Sequence, residues 1–337
     1  MSSSPKNILI TGGSGFLGPL LAAKLLGDTT ETYKVVLTDL QTPPQPSGLS
    51  SSENLTLHPA DLTSSEAITG LLSLRPTWHA IFLFHGIMSL GCEENPALST
   101  RVNLHATQSL LDSIIALPQC RSQDLGGKPR IIYASTQAVY GPPSTTSGPI
   151  TDNTPPTPVS VYGTHKLIME THINDLHRRG LISAFALRLP TVTVRPGAPS
   201  RSAAAWISGI ARDTLAGLEC VIPISDRAHR QVICSPRTVL ENFVRVMRAP
   251  DDAMPSHVRA VYLPGISVTL GEMYVAVEKV CGKEAIKLCR EERDAEAERL
   301  LDSWPKEGDW GNAKRMGLCF DESAEQVYGE YVEGLGK

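Results

Sequence analysis

The stretch Ile8-Leu9-Ile10-Thr11-Gly12-Gly13-Ser14-Gly15-Phe16-Leu17-Gly18 restricts what this chain can fold into more than any other segment. An apolar run ends in glycines three residues apart (Gly12, Gly15, Gly18), and a helical apolar period runs from Phe16 to Leu26. Strand, tight turn and helix in that order open a dinucleotide-binding α/β unit. Gly12 permits the turn, Gly15 lets the backbone approach a pyrophosphate at the helix N-terminus, and Gly18 lets the helix pack close to the sheet. Pro19 falls in the first helical turn, where its missing amide hydrogen has no partner to lose. The glycines alone are a weak signal, and Asp39 strengthens it. That carboxylate closes a second apolar run 21 residues beyond Gly18, where it can accept from adenosine ribose hydroxyls. Leu40, Gln41 and Thr42 offer no cation for a 2′-phosphate, so the pattern favours NAD over NADP. The Gly-x-x-x-x-Gly-Lys-Ser/Thr turn of nucleoside triphosphatases is missing.

The same alternation of apolar run and helical period continues along the first half of the 337 residues. Strands are expected at Ile8-Leu9-Ile10, Lys34 to Thr38, Leu55 to His58, Ala80 to Phe84, Arg130 to Tyr133 and Ala184 to Leu189. Helices are expected at Phe16 to Leu26, Ser65 to Leu74, Ala97 to Leu117 and Val161 to Arg179. Several strands are apolar at successive positions, as strands covered on both faces are. The fold class is therefore α/β, a Rossmann-type doubly wound parallel sheet. Proline-rich stretches, Thr42 to Asn54 and Gly141 to Pro158, interrupt it, and the second is expected to form part of an active-site rim. After about Pro190 helices dominate: Ala203 to Ala216, Pro236 to Met247, Leu270 to Val280 and Asp294 to Leu301. Residues 1–190 read as the NAD-binding domain and 191–337 as mostly a smaller C-terminal substrate domain, with room for segments to return to the first.

Composition narrows the partners. With 31 Lys+Arg against 35 Asp+Glu and a formal charge of −4, no polyanion-binding surface is expected, so nucleic acid is excluded as a partner. The longest apolar runs fall far short of the roughly 20 residues a membrane-spanning helix needs. Met-Ser-Ser-Ser-Pro-Lys leads straight into a strand with no signal-peptide pattern. Seven cysteines without Cys-x-x-Cys and nine histidines without His-x-x-x-His read as reduced thiols in a cytoplasmic protein, and no metal site is expected.

Tyr162 and Lys166 lie four residues apart at the start of a helix, on one face. A tyrosine hydroxyl has an ordinary pKa near 10, and a cation beside it stabilises the phenolate that an alcohol-deprotonating base requires. Thr136 sits just past the carboxyl end of a strand, where open α/β sheets bind ligands, and its hydroxyl can hold the reacting oxygen.

Together Thr11-Gly12-x-x-Gly15-Phe16-x-Gly18, Asp39, Asp61-Leu62, Ser135-Thr136-x-x-Val139-Tyr140-Gly141 and Tyr162-x-x-x-Lys166 resemble an extended short-chain dehydrogenase/reductase of the NAD-dependent epimerase/dehydratase family. The resemblance spans nearly the whole chain. It implies a catalytic set of Thr136, Tyr162 and Lys166, with Asn103 anchoring a proton-relay water or the helix that carries it. It implies NAD contacts at Gly12, Gly15, Phe16, Leu17, Gly18, Asp39, Asp61, Leu62, His85, Gly86, Asn103, Tyr162, Lys166 and Pro190, with Asp61 and Leu62 flanking the adenine. A homodimer through Ala97–Leu117 and Val161–Arg179 is expected on the same ground.

Within that family, Leu187 to Gly197, Ser235-Pro236-Arg237 and Leu263 to Thr269 are similar to the D-erythronate dehydrogenase branch, whose members oxidise the C2 hydroxyl of a four-carbon sugar acid with NAD. A small aldonate needs a cation for its carboxylate, and Arg195 and Arg230 are the candidates, since guanidinium groups match carboxylates bidentately. Ser89, Thr136, Tyr162 and Thr191 complete the expected substrate contacts. Arg201 and Trp206 depart from that branch's small-residue run and are expected to reshape the substrate pocket. The leading function is thus an NAD-dependent dehydrogenase of a sugar acid. A nucleotide-sugar epimerase using the same trio and a non-catalytic dinucleotide sensor stay open as alternatives. Gln137-Ala138 after Thr136 lacks the Asp-Glu pair of dehydratase relatives.

Overall fold

The computed structural model describes residues 4–49, 53–122, 124, 127–142, 148–198 and 202–335. In chain order its strands are β1 (Lys6–Thr11), β2 (Tyr33–Asp39), β3 (Leu55–Pro59), β4 (Ala80–Leu83), β5 (Arg130–Thr136) and β6 (Ser183–Leu189). There follow β7 (Thr191–Val192), β8 (Cys220–Ile222), β9 (Arg230–Cys234), β10 (Ala260–Tyr262), β11 (Ile266–Thr269) and β12 (Cys289–Glu291). Seven of them make one sheet in the order β10-β6-β5-β4-β1-β2-β3, parallel at every pairing. The order reverses between β1 and β4, which opens a crevice at their carboxyl ends.

The successive apolar residues of the strands are explained by two-sided burial. Ile8, Ile10, Val35, Leu37 and Phe82 join a core with the helices Leu17–Leu26 and Pro236–Arg248. Leu9, Val36, Ile81 and Ile131 point the other way, into a core with Ser65–Ser73, Thr107–Ile115 and Val161–Arg178. Beyond residue 190 a three-stranded sheet, β11-β9-β7, and the pair β12-β8 surround another core built from Ile207, Ile210, Met273, Val277, Leu300 and Tyr328. Helix Pro236–Arg248 and β10 return to the large sheet, where Tyr262 pairs with Arg188. No helix among the described residues is long and apolar enough to cross a membrane.

One expectation is corrected. The span Ala97 to Leu117 is not one regular α-helix: a turn at Pro96–Ser99, capped by Asn95, passes into a π-helical segment Thr100–Ala106 and then into Thr107–Ile115. The widened segment carries Asn103, and such bulges cluster at functional sites. A short helix, Ser89–Glu94, has no signal in the sequence, because six residues show no helical period. The loop after β5 is closed at its base by Gly141, with φ +75°, where a Cβ would stand 2.0 Å from the Thr157 carbonyl oxygen.

Helix Val161–Arg178 is fastened to the sheet by buried charge. Arg188 on β6 donates to Glu170 through Nε, at 3.1 Å to either oxygen, and through Nη2 at 2.7 Å. The Ser135 hydroxyl donates to the same carboxylate, and the guanidinium lies 4.8 Å from the Tyr140 ring centre. Removing one partner of such a pair strands the other charge in the core. Glu170→Ala is expected to cost about 3–5 kcal/mol in urea denaturation, and adding Arg188→Met to recover most of it. A single variant within 1 kcal/mol of wild type, about the worth of an exposed pair, would contradict this role.

Candidate active site

The carboxyl ends of β1, β2, β4, β5 and β6 border a cleft of about 1010 Å³. At its floor Gly12 turns with φ +74°, and a Cβ there would lie 2.8 Å from the Phe84 carbonyl carbon. A Cβ at Gly18 would lie 2.8 Å from the Gly12 oxygen, so helix and turn are in backbone contact. Gly12, Gly15, Phe16, Leu17 and Gly18 all form wall of the cleft. The Ser14 and Leu40 amides donate to the two oxygens of Asp39, each at 2.8 Å, and hold that carboxylate at one end. Asp61 and Leu62 continue the wall there. The Thr63 amide and hydroxyl hold the Asp61 carboxyl below its ordinary pKa. A glycine-walled turn at a helix N-terminus followed by a fixed carboxylate fits a dinucleotide with a free ribose diol.

At the other end stand Thr136, Tyr162, Lys166, His85, Gly86, Ser89, Pro190, Thr191 and Arg195. Helix Val161–Arg178 starts where Ser160 accepts from the Gly163 amide at 3.1 Å and Glu93 accepts from the Val161 amide at 2.8 Å. One turn later Lys166, only 4% exposed, donates to the Ala134 carbonyl at 2.7 Å. Its ammonium is 4.5 Å from the Tyr133 ring centre and 5.7 Å from that of Tyr162. Burial pushes the lysine down to about 8. Burial pushes the Tyr162 phenol well above its ordinary value, and the nearby Arg195 guanidinium draws it part of the way back. To the field expected from Lys166 the structure thus adds the Arg195 guanidinium.

Thr136 accepts from the Ala138 amide at 3.2 Å. His85 joins Thr11 and Thr107 through its two ring nitrogens, at 2.8 and 3.0 Å. Burial, with Lys166 adding to it, lowers His85 to about 3, so it is neutral at physiological pH. Ser89 is 3% exposed on the wall, and its hydroxyl has no partner among the described residues. Arg195 lies over the Phe16 ring at 5.6 Å, and its backbone is gripped by Ser208 and Arg212 from helix Ala205–Leu215.

Three expected contacts fall elsewhere. Asn103 is buried behind the wall, where Oδ1 accepts from the Ile87 amide at 2.8 Å and Nδ2 donates to the Ile87 carbonyl at 3.1 Å. It fixes the loop below Ser89, with its Oδ1 beneath the cleft residue Gly86, where a Cβ would stand 3.0 Å from it. Arg230, at the start of β9, is outside the wall because its guanidinium turns to Ser267 across the β9–β11 pairing, at 3.4 Å. Trp206 is 6% exposed in the C-terminal core, and Trp304 is the tryptophan that reaches the cleft. Arg201 lies outside the described residues. Sequence reasoning missed Gln137, Ser208 and Arg212 as wall residues. Gln137 could have been found from its place beside Thr136, whereas nothing local marks the other two.

Fold and site together define an NAD-dependent oxidoreductase of the short-chain dehydrogenase/reductase class. The chain belongs to the NAD dependent epimerase/dehydratase family, whose model matches residues 8–258. It is 31% identical to D-erythronate dehydrogenase of Haemophilus influenzae, over 97% of this chain and 98% of that one. It is 32% identical to the protein of the same name from Cupriavidus necator, over 98% and 99% of the two chains. Among solved structures, a nucleoside-diphosphate-sugar epimerase from Agrobacterium tumefaciens superposes with a TM-score of 0.88 at 29% identity, covering 99% of this chain and 96% of that one.

A neutral buried histidine has a readable pH signature. Because the folded state holds the ring below its unfolded pKa of about 6.5, the unfolded state binds the extra proton first. The stability tied to His85 is complete above that value and lost as pH falls towards 3. The difference in melting temperature between wild type and His85→Gln is expected to shrink between pH 7 and pH 4, about the range between the two pKa values. A difference independent of pH would show that the histidine does not resist protonation.

Proposed function

We propose that this chain oxidises the C2 hydroxyl of a short sugar acid of the D-erythronate kind to the 2-keto acid with NAD, using Tyr162 as general base. The observation that carries the reading is the placing of a cation, Arg195, at the same end of the cleft as Tyr162, Lys166 and Thr136. A carboxylate docked on that guanidinium brings the neighbouring carbinol towards the hydroxyl groups of Thr136 and Tyr162. The full-length similarity to two D-erythronate dehydrogenases supports the same substrate class. In this reading residues 1–190 supply most cofactor contacts and 191–337 most of the substrate wall.

When bound, NAD supplies the acceptor for the hydride released from C2. The glycine turn would hold its pyrophosphate and Asp39 its adenosine ribose. Thr136, having accepted an amide hydrogen from Ala138, has its own O–H free to hold the reacting oxygen. The Lys166 and Arg195 charges stabilise the Tyr162 phenolate, which receives the hydroxyl proton and becomes the neutral phenol as the carbonyl forms. Lys166 is charged at neutral pH and begins to lose that charge near pH 8.

A second reading, nucleotide-sugar epimerisation, rests on the likeness to the Agrobacterium structure and uses the same groups without net NADH. The two separate in one assay. Purified protein given NAD and D-erythronate or other tetronates is expected to form NADH. Tyr162→Phe should bind NAD normally with kcat reduced by about 10²–10⁴-fold. Arg195→Ala should raise KM about tenfold or more, the loss of a charge-assisted hydrogen bond worth about 1.5–3 kcal/mol. NADH formation with no aldonate, alongside interconversion of nucleotide sugars, would replace the dehydrogenase by the epimerase. Retention of both Tyr162 and Lys166 argues against a sensor without turnover.

A further inference from the structure

Gln137, directly after Thr136, is 2% exposed and forms part of the cleft wall. Its amide joins two elements far apart in sequence. The Tyr262 hydroxyl on β10 donates to Oε1 at 3.1 Å, and Nε2 donates to Oγ1 of Thr191 on β7 at 3.2 Å. Tyr262 dictates which way the amide faces. Its ring is 4% exposed and lies between those of Tyr140 and Trp310, at 5.4 and 6.0 Å between centres. Burial holds the phenol well above its ordinary pKa, so it is a neutral donor, and Gln137 Oε1 is the acceptor it meets. The reversed amide would set that O–H against an NH₂ group and leave a buried donor unsatisfied.

An amide nitrogen donates and never accepts. Thr191 must therefore accept from Gln137, and its own hydroxyl hydrogen remains for the cleft. We infer that Gln137 is a specificity-determining residue acting through Thr191, whose hydroxyl it orients as a donor towards an acceptor group of the substrate, a carboxylate oxygen. The identity of that acceptor rests on the sugar-acid reading above. Four residues on, Arg195 offers only donors to the same cleft, and Ser89 adds a buried hydroxyl with no partner among the described residues. A wall of this polarity suits an anion and opposes an ammonium group, which could offer it nothing but further donors. The amide also cannot exchange a proton at the position next to Thr136, which keeps an acid–base elimination out of reach there.

The test uses the NADH complex of the full chain, in which binding is read without turnover. Isothermal titration compares D-erythronate with the neutral polyol erythritol. Gln137→Glu keeps the acceptor for Tyr262 but draws the Thr191 hydrogen back to itself, and Thr191→Val removes the hydroxyl at nearly constant shape. Both variants are expected to bind NADH as wild type does and to lose about tenfold or more in D-erythronate affinity, which is about 1.4 kcal/mol. Erythritol binding should stay unchanged, and Thr191→Ser should restore the acid. If Gln137→Glu fails to fold, Thr191→Val carries the test. D-erythronate affinity within twofold of wild type in Thr191→Val, equal losses for acid and polyol, or a wild type that binds no carboxylate each overturns the inference. Binding of D-erythronate without NADH formation from NAD would instead sink the dehydrogenase reading and leave the donor wall standing.

Discussion

One buried ammonium group organises the reactive end of this molecule. Lys166 is almost fully removed from water, held by the Ala134 carbonyl and flanked by the rings of Tyr133 and Tyr162. An unpaired charge in such a place is costly, and a single carbonyl and two aromatic faces offset only part of the cost. Its pKa is lowered accordingly. The charge is held in place by the packing of helix Val161–Arg178 on the sheet. A Cβ at Gly163 would stand 2.3 Å from the Ala138 carbonyl oxygen, so the helix start and the turn after Thr136 already touch backbone to backbone. One turn beyond Lys166, Glu170 ties the helix to β5 and β6. Tyr162, Lys166 and Glu170 share one face of that helix, and base, cation and anchor follow from a single repeat.

The cleft is divided by chemistry as well as by sequence. Backbone amides, glycine surfaces and carboxylates make the end near β1 and β2, suited to a diol and a pyrophosphate. Hydroxyls, an amide and guanidinium groups make the end near β5, β6 and β7, suited to an anion being oxidised. Arg195, stacked on Phe16 and felt by Tyr162, belongs to both ends. Asn103 contributes by fixing both polar groups of the Ile87 peptide, which carries the chain from β4 to Ser89.

How much of this was legible in the sequence follows from how local each feature is. Gly12, Gly15, Gly18 and Asp39 are readable because a turn and a strand end fix their spacing. Tyr162 and Lys166 are readable because a helix brings residues four apart together. Thr136 is readable from the end of a buried strand. Residue type does not separate Arg195 from Arg230: the first ends the run Thr191 to Val194, the second opens β9, and the β9–β11 pairing turns Arg230 to Ser267. Trp304 and Arg212 reach the cleft through contacts between separate elements, Arg212 by its bond to the Arg195 carbonyl, which no periodicity records. The π-helical segment at Asn103 has the composition of ordinary helix, so its widening was equally hidden.

Burial holds the Tyr162 phenol protonated in spite of Lys166 and Arg195, and the further positive charge of bound NAD⁺ is expected to favour the phenolate. Carbon-13 NMR of ring-labelled tyrosine, assigned by comparison with Tyr162→Phe, follows that phenol through a pH titration with and without NAD⁺. The expected result is titration above the ordinary tyrosine value in the free protein and a clear downward displacement when NAD⁺ is present. A Tyr162 signal that titrates at the same pH in both, or that already lies below the ordinary value in the free protein, would contradict it.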